Sequence, residues 1–135
     1  MWSLAGAGRV SAQDSTLVAH PVVHVEILGT DAARLQRFYA ELFGWRIALN
    51  PVGYGYVSVA PTQPVTLTGG IGPSPQGQPL AVFYVKVDDP AAVLKKVEAL
   101  GGRVVLPPAD VPGGTTFARF ADPEGNVIGI VRRKN

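Results

Sequence analysis

A shift of 58 positions lays one half of this chain over the other, and no other feature constrains the fold as much. The first copy runs His24-Val-Glu-Ile-Leu-Gly-Thr-Asp31 and continues through Leu35, Phe38, Tyr39 and Leu42 to Gly44. The second runs Val82-Phe-Tyr-Val-Lys-Val-Asp-Asp89 and continues through Val93, Val97 and Leu100 to Gly102. Asp31 matches Asp89, Ala33 matches Ala91, Leu42 matches Leu100 and Gly44 matches Gly102. Each copy therefore reads as a strand, an acidic cap, an amphipathic helix and a glycine stop.

The local chemistry supports that reading. Val23, Val25 and Ile27 alternate with His24, Glu26 and Leu28, the period of a strand. Phe83, Val85 and Val87 alternate with Val82, Tyr84 and Lys86 in the same way. Leu35, Phe38, Tyr39 and Leu42 fall on one helical face, as do Val93, Val97 and Leu100. Asp89 before Pro90 predicts a helix start with proline at its first position. Gly44 and Gly101 stand where a left-handed residue ends a helix.

Three short strands are expected after each helix: 45–49, 54–60 and 65–70 in the first half, then 103–106, 115–120 and 127–132 in the second. Asp122-Pro-Glu-Gly-Asn126 has the form of a type I turn before the last of them. The Pro, Gly and Gln-rich stretch Gly72 to Pro79 reads as a linker between modules. The expected organisation is a tail or arm over residues 1–20 and a single domain over 21–135. Its modules span about 21–72 and 80–133. The fold class is α+β: two βαβββ modules forming a cupped mixed sheet, with helices on the outside.

Composition removes several functions. The chain has no cysteine, which excludes disulfides and thiolate metal sites. Its net charge is only +2, and its one basic run, Arg132-Arg133-Lys134, reads as a solvated end, so nucleic acid is not an expected partner. No apolar run is long enough to span a membrane. The apolar Met1 to Gly8 lacks a positive n-region, and a cytoplasmic protein is expected.

The repeated βαβββ pattern, with Phe38-Tyr39, Leu42-Phe43-Gly44-Trp45 and Phe120-Ala-Asp-Pro-Glu-Gly-Asn126, resembles the vicinal oxygen chelate superfamily over roughly residues 21 to 133. That superfamily includes glyoxalases, bleomycin resistance proteins and dioxygenases. The resemblance implies a ligand site on the concave sheet face. Metal-using members carry four ligands there. The first falls on His24, the third on Val82 and the fourth on Gly129; the second would lie near Thr66 to Ile71. Residues 42 to 87 contain no Asp, Glu, His or Cys whatever the register. His20 lies four strand residues from His24, about 13 Å away and beyond one metal's reach. No metal and no other cofactor is expected.

Strand parity then assigns the cup. Val25, Ile27, Phe83 and Val85 should pack on the helices as core, while His24, Glu26 and Tyr84 should face the concavity outside the core. The candidate catalytic residues are His24 and Glu26, a pair suited to proton transfer. The candidate ligand-binding residues are Val82, Tyr84, Lys86, Arg119, Val127 and Gly129. Arg119, read as solvated, could alternatively hold an anion at the pocket mouth. Tyr54, Tyr56, Trp45 and Phe117 read as packing residues. Three functions follow: a metal-free binder of a small, partly aromatic organic ligand; a metal-independent lyase or isomerase using His24 and Glu26; or a partner-binding module with a vestigial pocket. The resemblance also implies a homodimer.

Overall fold

The computed structural model describes residues 19–58, 67–75 and 77–134. The expected tail therefore lies almost wholly outside the described residues. The first module comprises β1 (Val22–Gly29), α1 (Ala32–Phe43), β2 (Arg46–Leu49), β3 (Gly55–Ser58) and β4 (Thr68–Pro73). The second comprises β5 (Leu80–Lys86), α2 (Pro90–Ala99), β6 (Arg103–Val111), β7 (Thr115–Ala121) and β8 (Val127–Arg132). Both helices start as the sequence requires. Asp31 accepts a hydrogen bond from the Arg34 amide and Asp89 from the Ala92 amide, each satisfying an amide left open by the first turn. Gly44 closes α1 with φ +68°, a conformation that disfavours any side chain. No helix among the described residues is long and apolar enough to cross a membrane.

The eight strands form one sheet in the order β2-β3-β4-β1-β5-β8-β7-β6. Each module closes by a parallel contact, β1 with β4 and β5 with β8. The modules join where β1 and β5 run antiparallel. There Val25 faces Phe83, its own equivalent in the repeat. The pseudo-twofold axis therefore passes between these two residues, and everything near them is duplicated.

Three expectations are corrected here. The linker begins later, because Gly72 and Pro73 belong to β4. Strand β6 is longer than 103–106 and runs through Pro107 and Pro108 to Val111. It can do so because it is the sheet edge and its pairing with β7 shifts at two places, so an absent proline amide leaves no broken ladder. The third correction concerns packing. Helix α2 covers its module well: Leu94 joins Val87, Ala118 and Ile130 in a core that Val85, Val93, Val104 and Phe120 complete. Leu100, expected on that face, is exposed. Helix α1 does not bury its apolar stripe. Phe38 is 56% exposed and Leu42 57%, while the buried residue is Gln36. Its amide donates to the carbonyls of Ile71 (2.7 Å) and Gly53 (3.1 Å), anchoring α1 over β4 and the β2–β3 turn through polar bonds. The centre of the helix face is consequently open, and Val25 (44%) and Phe83 (40%) are largely exposed rather than core.

Candidate functional site

The opposite face of the sheet holds the chemistry. Alternation along β1 and β5 places His24, Glu26, Val82 and Tyr84 on that face, and β1–β5 pairing sets His24 beside Tyr84 and Glu26 beside Val82. Arg119 reaches the same place from β7, Tyr54 from the residue before β3, and Thr68 from the first position of β4. Val82, Tyr84 and Val131 form a second buried cluster, packed by Val23, Leu80 and Phe117. Gly129 lies beside Tyr84 in the parallel β5–β8 ladder. Lys86 lies exposed at the end of β5, and Val127, partly buried, starts β8.

Glu26 is the hub. It is 8% exposed, and both of its carboxylate oxygens are engaged. Oε1 accepts from the Tyr84 hydroxyl at 2.6 Å and from Arg119 Nη2 at 3.0 Å. Oε2 accepts from the Tyr54 hydroxyl at 2.7 Å. Arg119 Nε in turn donates to the Tyr84 oxygen at 2.9 Å. Its guanidinium carbon stands 5.9 Å from the Tyr84 ring centroid and 5.6 Å from that of Phe117. Arg119 is thus a buried ion-pair partner and not the solvated residue expected from its short strand. A desolvated carboxylate needs such compensation, and three donors, one of them charged, provide it.

His24 extends the network toward the open end of the cup. Its Nε2 lies 2.8 Å from the Tyr54 hydroxyl and its Nδ1 2.6 Å from the Thr68 hydroxyl. The Tyr54 hydroxyl has one proton and gives it to Glu26, so His24 Nε2 is the donor to Tyr54, and in the neutral imidazole Nδ1 accepts from Thr68. Thr68 in turn accepts from Arg133 Nη2 at 2.8 Å. With Thr68 donating to Nδ1 the bonds run in one direction, from Arg133 through Thr68, His24 and Tyr54 to Glu26; in a protonated imidazole Nδ1 donates to Thr68 instead, whose proton then goes to the Val23 carbonyl at 3.2 Å. Burial lowers the His24 pKa below its ordinary 6.5; Glu26 opposes that shift and Arg133 reinforces it. Burial, and then the Glu26 charge, push both Tyr54 and Tyr84 well above the ordinary phenol value of 10, so each remains a donor.

Glycines make this packing possible. A Cβ on Gly70 would collide with the Tyr54 hydroxyl and ring, and one on Gly129 with the Tyr84 ring. Gly70 neighbours Glu26 in the β1–β4 ladder, and Gly129 neighbours Tyr84 in the equivalent β5–β8 ladder. The two modules therefore use the same device: a glycine beside the central strand admits a tyrosine. These positions bear on the metal that the resemblance implies. Gly129 and Val82 hold no donor, and the space near Gly70 is filled by Tyr54. Among the described residues no three His, Cys, Asp or Glu side chains gather as a metal site would need. The residues do not fit the metal.

Thr68 and Arg133 were not singled out from the sequence, and Tyr54 was read as packing. The signal that could have found Tyr54 is glycine inside two strands, which marks close approach by another group.

The sequence matches the glyoxalase/bleomycin resistance protein/dioxygenase superfamily over residues 22–130. It is 35% identical to a putative glyoxylase, CFP32, of Mycobacterium tuberculosis over 117 residues, covering 78% of this chain and 43% of that protein. It is 34% identical to the anthracycline biosynthesis protein DnrV of Streptomyces peucetius, covering 76% of this chain and 43% of that one. The chain thus spans less than half the length of these relatives. The fold is similar to that of methylmalonyl-CoA epimerase from Mycobacterium tuberculosis, with a TM-score of 0.58 at 16% identity over 93% of this chain and 95% of that one. The repeat, the paired central strands and the matched span agree, and the chain belongs to the glyoxalase/bleomycin resistance protein/dioxygenase superfamily.

Proposed function

We propose that this chain binds a small, partly aromatic organic ligand in the concave face of its sheet without a metal. The observation that carries this reading is the state of Glu26: both carboxylate oxygens are occupied, by two tyrosine hydroxyls and an arginine. A general base must present an accepting site to its substrate; with three of about four acceptor sites filled and the residue only 8% exposed, Glu26 is better suited to a fixed floor than to proton transfer. His24, with both ring nitrogens engaged, supports a metal-independent lyase or isomerase equally little. The ligand would lie at the open end of the cup beside His24, over a buried floor of Tyr84, Val82 and Gly129 that Phe117 and Val127 flank, with Lys86 at the rim and Arg119 acting through Tyr84 and Glu26. The name of DnrV, an anthracycline biosynthesis protein, is in keeping with this ligand class.

Amide-shift mapping with 1-naphthol in the presence of EDTA tests the proposal. Saturable shifts in β1, β5 and β7 are expected. No shift there, or shifts that appear only when zinc replaces EDTA, would overturn it.

The same reading includes a homodimer. Phe38, Leu42, Val25 and Phe83 leave large apolar side chains uncovered on the helix face, and a second copy meeting them would remove that surface from water. Light scattering at micromolar concentration should give twice the 14.2 kDa of one chain. A mass of one chain would refute this.

A further inference from the structure

We infer that the ligand is an anion, a carboxylate, and that Arg133 is its anchor. This rests on the binding reading above and names the charge of what binds. Arg119 was the arginine expected to hold an anion at the pocket mouth, but the structure commits it to Glu26 and Tyr84. The role passes to Arg133, just beyond β8. That side chain is half-buried and reaches Thr68 and the Val23 carbonyl at the end of the central network.

Its donors are counted readily. Nη2 gives one hydrogen bond to the Thr68 hydroxyl at 2.8 Å and one to the Val23 carbonyl at 3.2 Å. Both acceptors are neutral. The ion pairs among the described residues are His24–Glu26 and Arg119–Glu26, and Arg133 enters neither. Its Nε and Nη1 hydrogens have no partner among the described side chains. Nη1 is cis to Cδ, so these hydrogens point to different edges of the guanidinium, and each can give an anion a single charge-assisted bond. The charge balance points the same way. Glu26 and Arg119 cancel, burial favours the neutral form of His24, and the tyrosines are uncharged, so Arg133 leaves the cup with one positive charge. A ligand with one negative charge neutralises it. Lys86, at the exposed end of β5, is paired in the ladder with Val131, two residues before Arg133, and adds a second cation to the same end of the sheet.

The bonds Arg133 does make fix its position. Thr68 is tied to His24, and Val23 precedes it, so the guanidinium is held against the backbone of β1 rather than free to follow solvent. An anion bound there would lie beside Thr68 and His24.

The test compares 1-naphthoate with 1-naphthamide, which share shape and differ in charge, by amide-shift titration of the full chain. Wild-type protein should bind naphthoate at least about tenfold more tightly, the usual gain from a charge-assisted pair. Arg133→Gln should abolish that preference while naphthamide binding is retained, which also reports that the cup is intact. Arg133→Lys should restore part of it, and Arg132→Gln, at a neighbouring exposed arginine, should keep it in full. If the amide binds in the cup and the carboxylate binds no better, the anion assignment falls and the ligand-binding reading stands. If the preference survives Arg133→Gln, the anchor is another residue and the inference is wrong. If neither compound shifts the cup, the binding reading fails and the assignment fails with it.

Discussion

Tyr84→Ala should destabilise the fold by about 3–5 kcal/mol, the usual result of emptying a buried aromatic site, whereas Phe83→Ala should cost only about 1–2 kcal/mol. Strand alternation alone predicts the reverse order. The structure keeps the alternation and inverts the burial: Tyr84 is 3% exposed and Phe83 40%. Tyr84 packs on Val82, Val131 and Phe117, donates to Glu26 and accepts from Arg119. Its removal opens a cavity and takes one donor from a buried carboxylate, two costs that add in the same direction. Phe83 lies at the pseudo-twofold axis on the open helix face and loses less surface to solvent on truncation. Urea midpoints decide between the two orders. The Phe83 effect should grow with protein concentration if a second copy covers that face, and the Tyr84 effect should not. A Tyr84→Ala variant as stable as Phe83→Ala would mean that the Glu26 network contributes nothing to the fold.

The comparison shows what kind of information a single chain carries. Local rules were enough for Asp31, Gly44, Asp89 and Pro90, because capping depends on a few neighbouring residues. Parity was equally readable: His24, Glu26 and Tyr84 do share a face. What alternation lacks is any statement of which face is covered. Helix α1 is held by Gln36 on two backbone carbonyls, and no periodicity of apolar residues reveals a polar anchor. The sheet's other face is covered by its own long side chains. Glu26 there has partners 28, 58 and 93 positions away, which no local pattern connects. Arg133 is the sharpest case. In sequence it is the middle of a three-residue basic run at the end of the chain; in the fold it spans 110 positions to the Val23 carbonyl. The Gly70 and Gly129 pair was the legible trace of the missing tyrosines, since small residues inside strands imply that something else fills the space.

The pair at the centre makes the second large effect. Glu26→Leu should cost about 3–5 kcal/mol, because it leaves the Arg119 guanidinium desolvated with no counter-charge. Arg119→Leu should cost a similar amount by stranding Glu26, although Tyr54 and Tyr84 would still donate to that carboxylate and blunt the loss. The two side chains are about nine-tenths buried and 3.0 Å apart. The double variant is the informative one. With both charges gone, the cost of desolvating them goes too, and the leucines extend the apolar cluster of Val82, Val131 and Phe117. Its stability should therefore lie well above the sum of the single losses, with a coupling of about 1–3 kcal/mol in a double-mutant cycle. Denaturant unfolding of the four proteins at one concentration measures it. Additive losses would mean that the charges are compensated separately, by water or by the tyrosines, and that the ion pair is not the centre of the network. A strong coupling keeps Glu26 as the fixed centre of a floor on which a ligand rests.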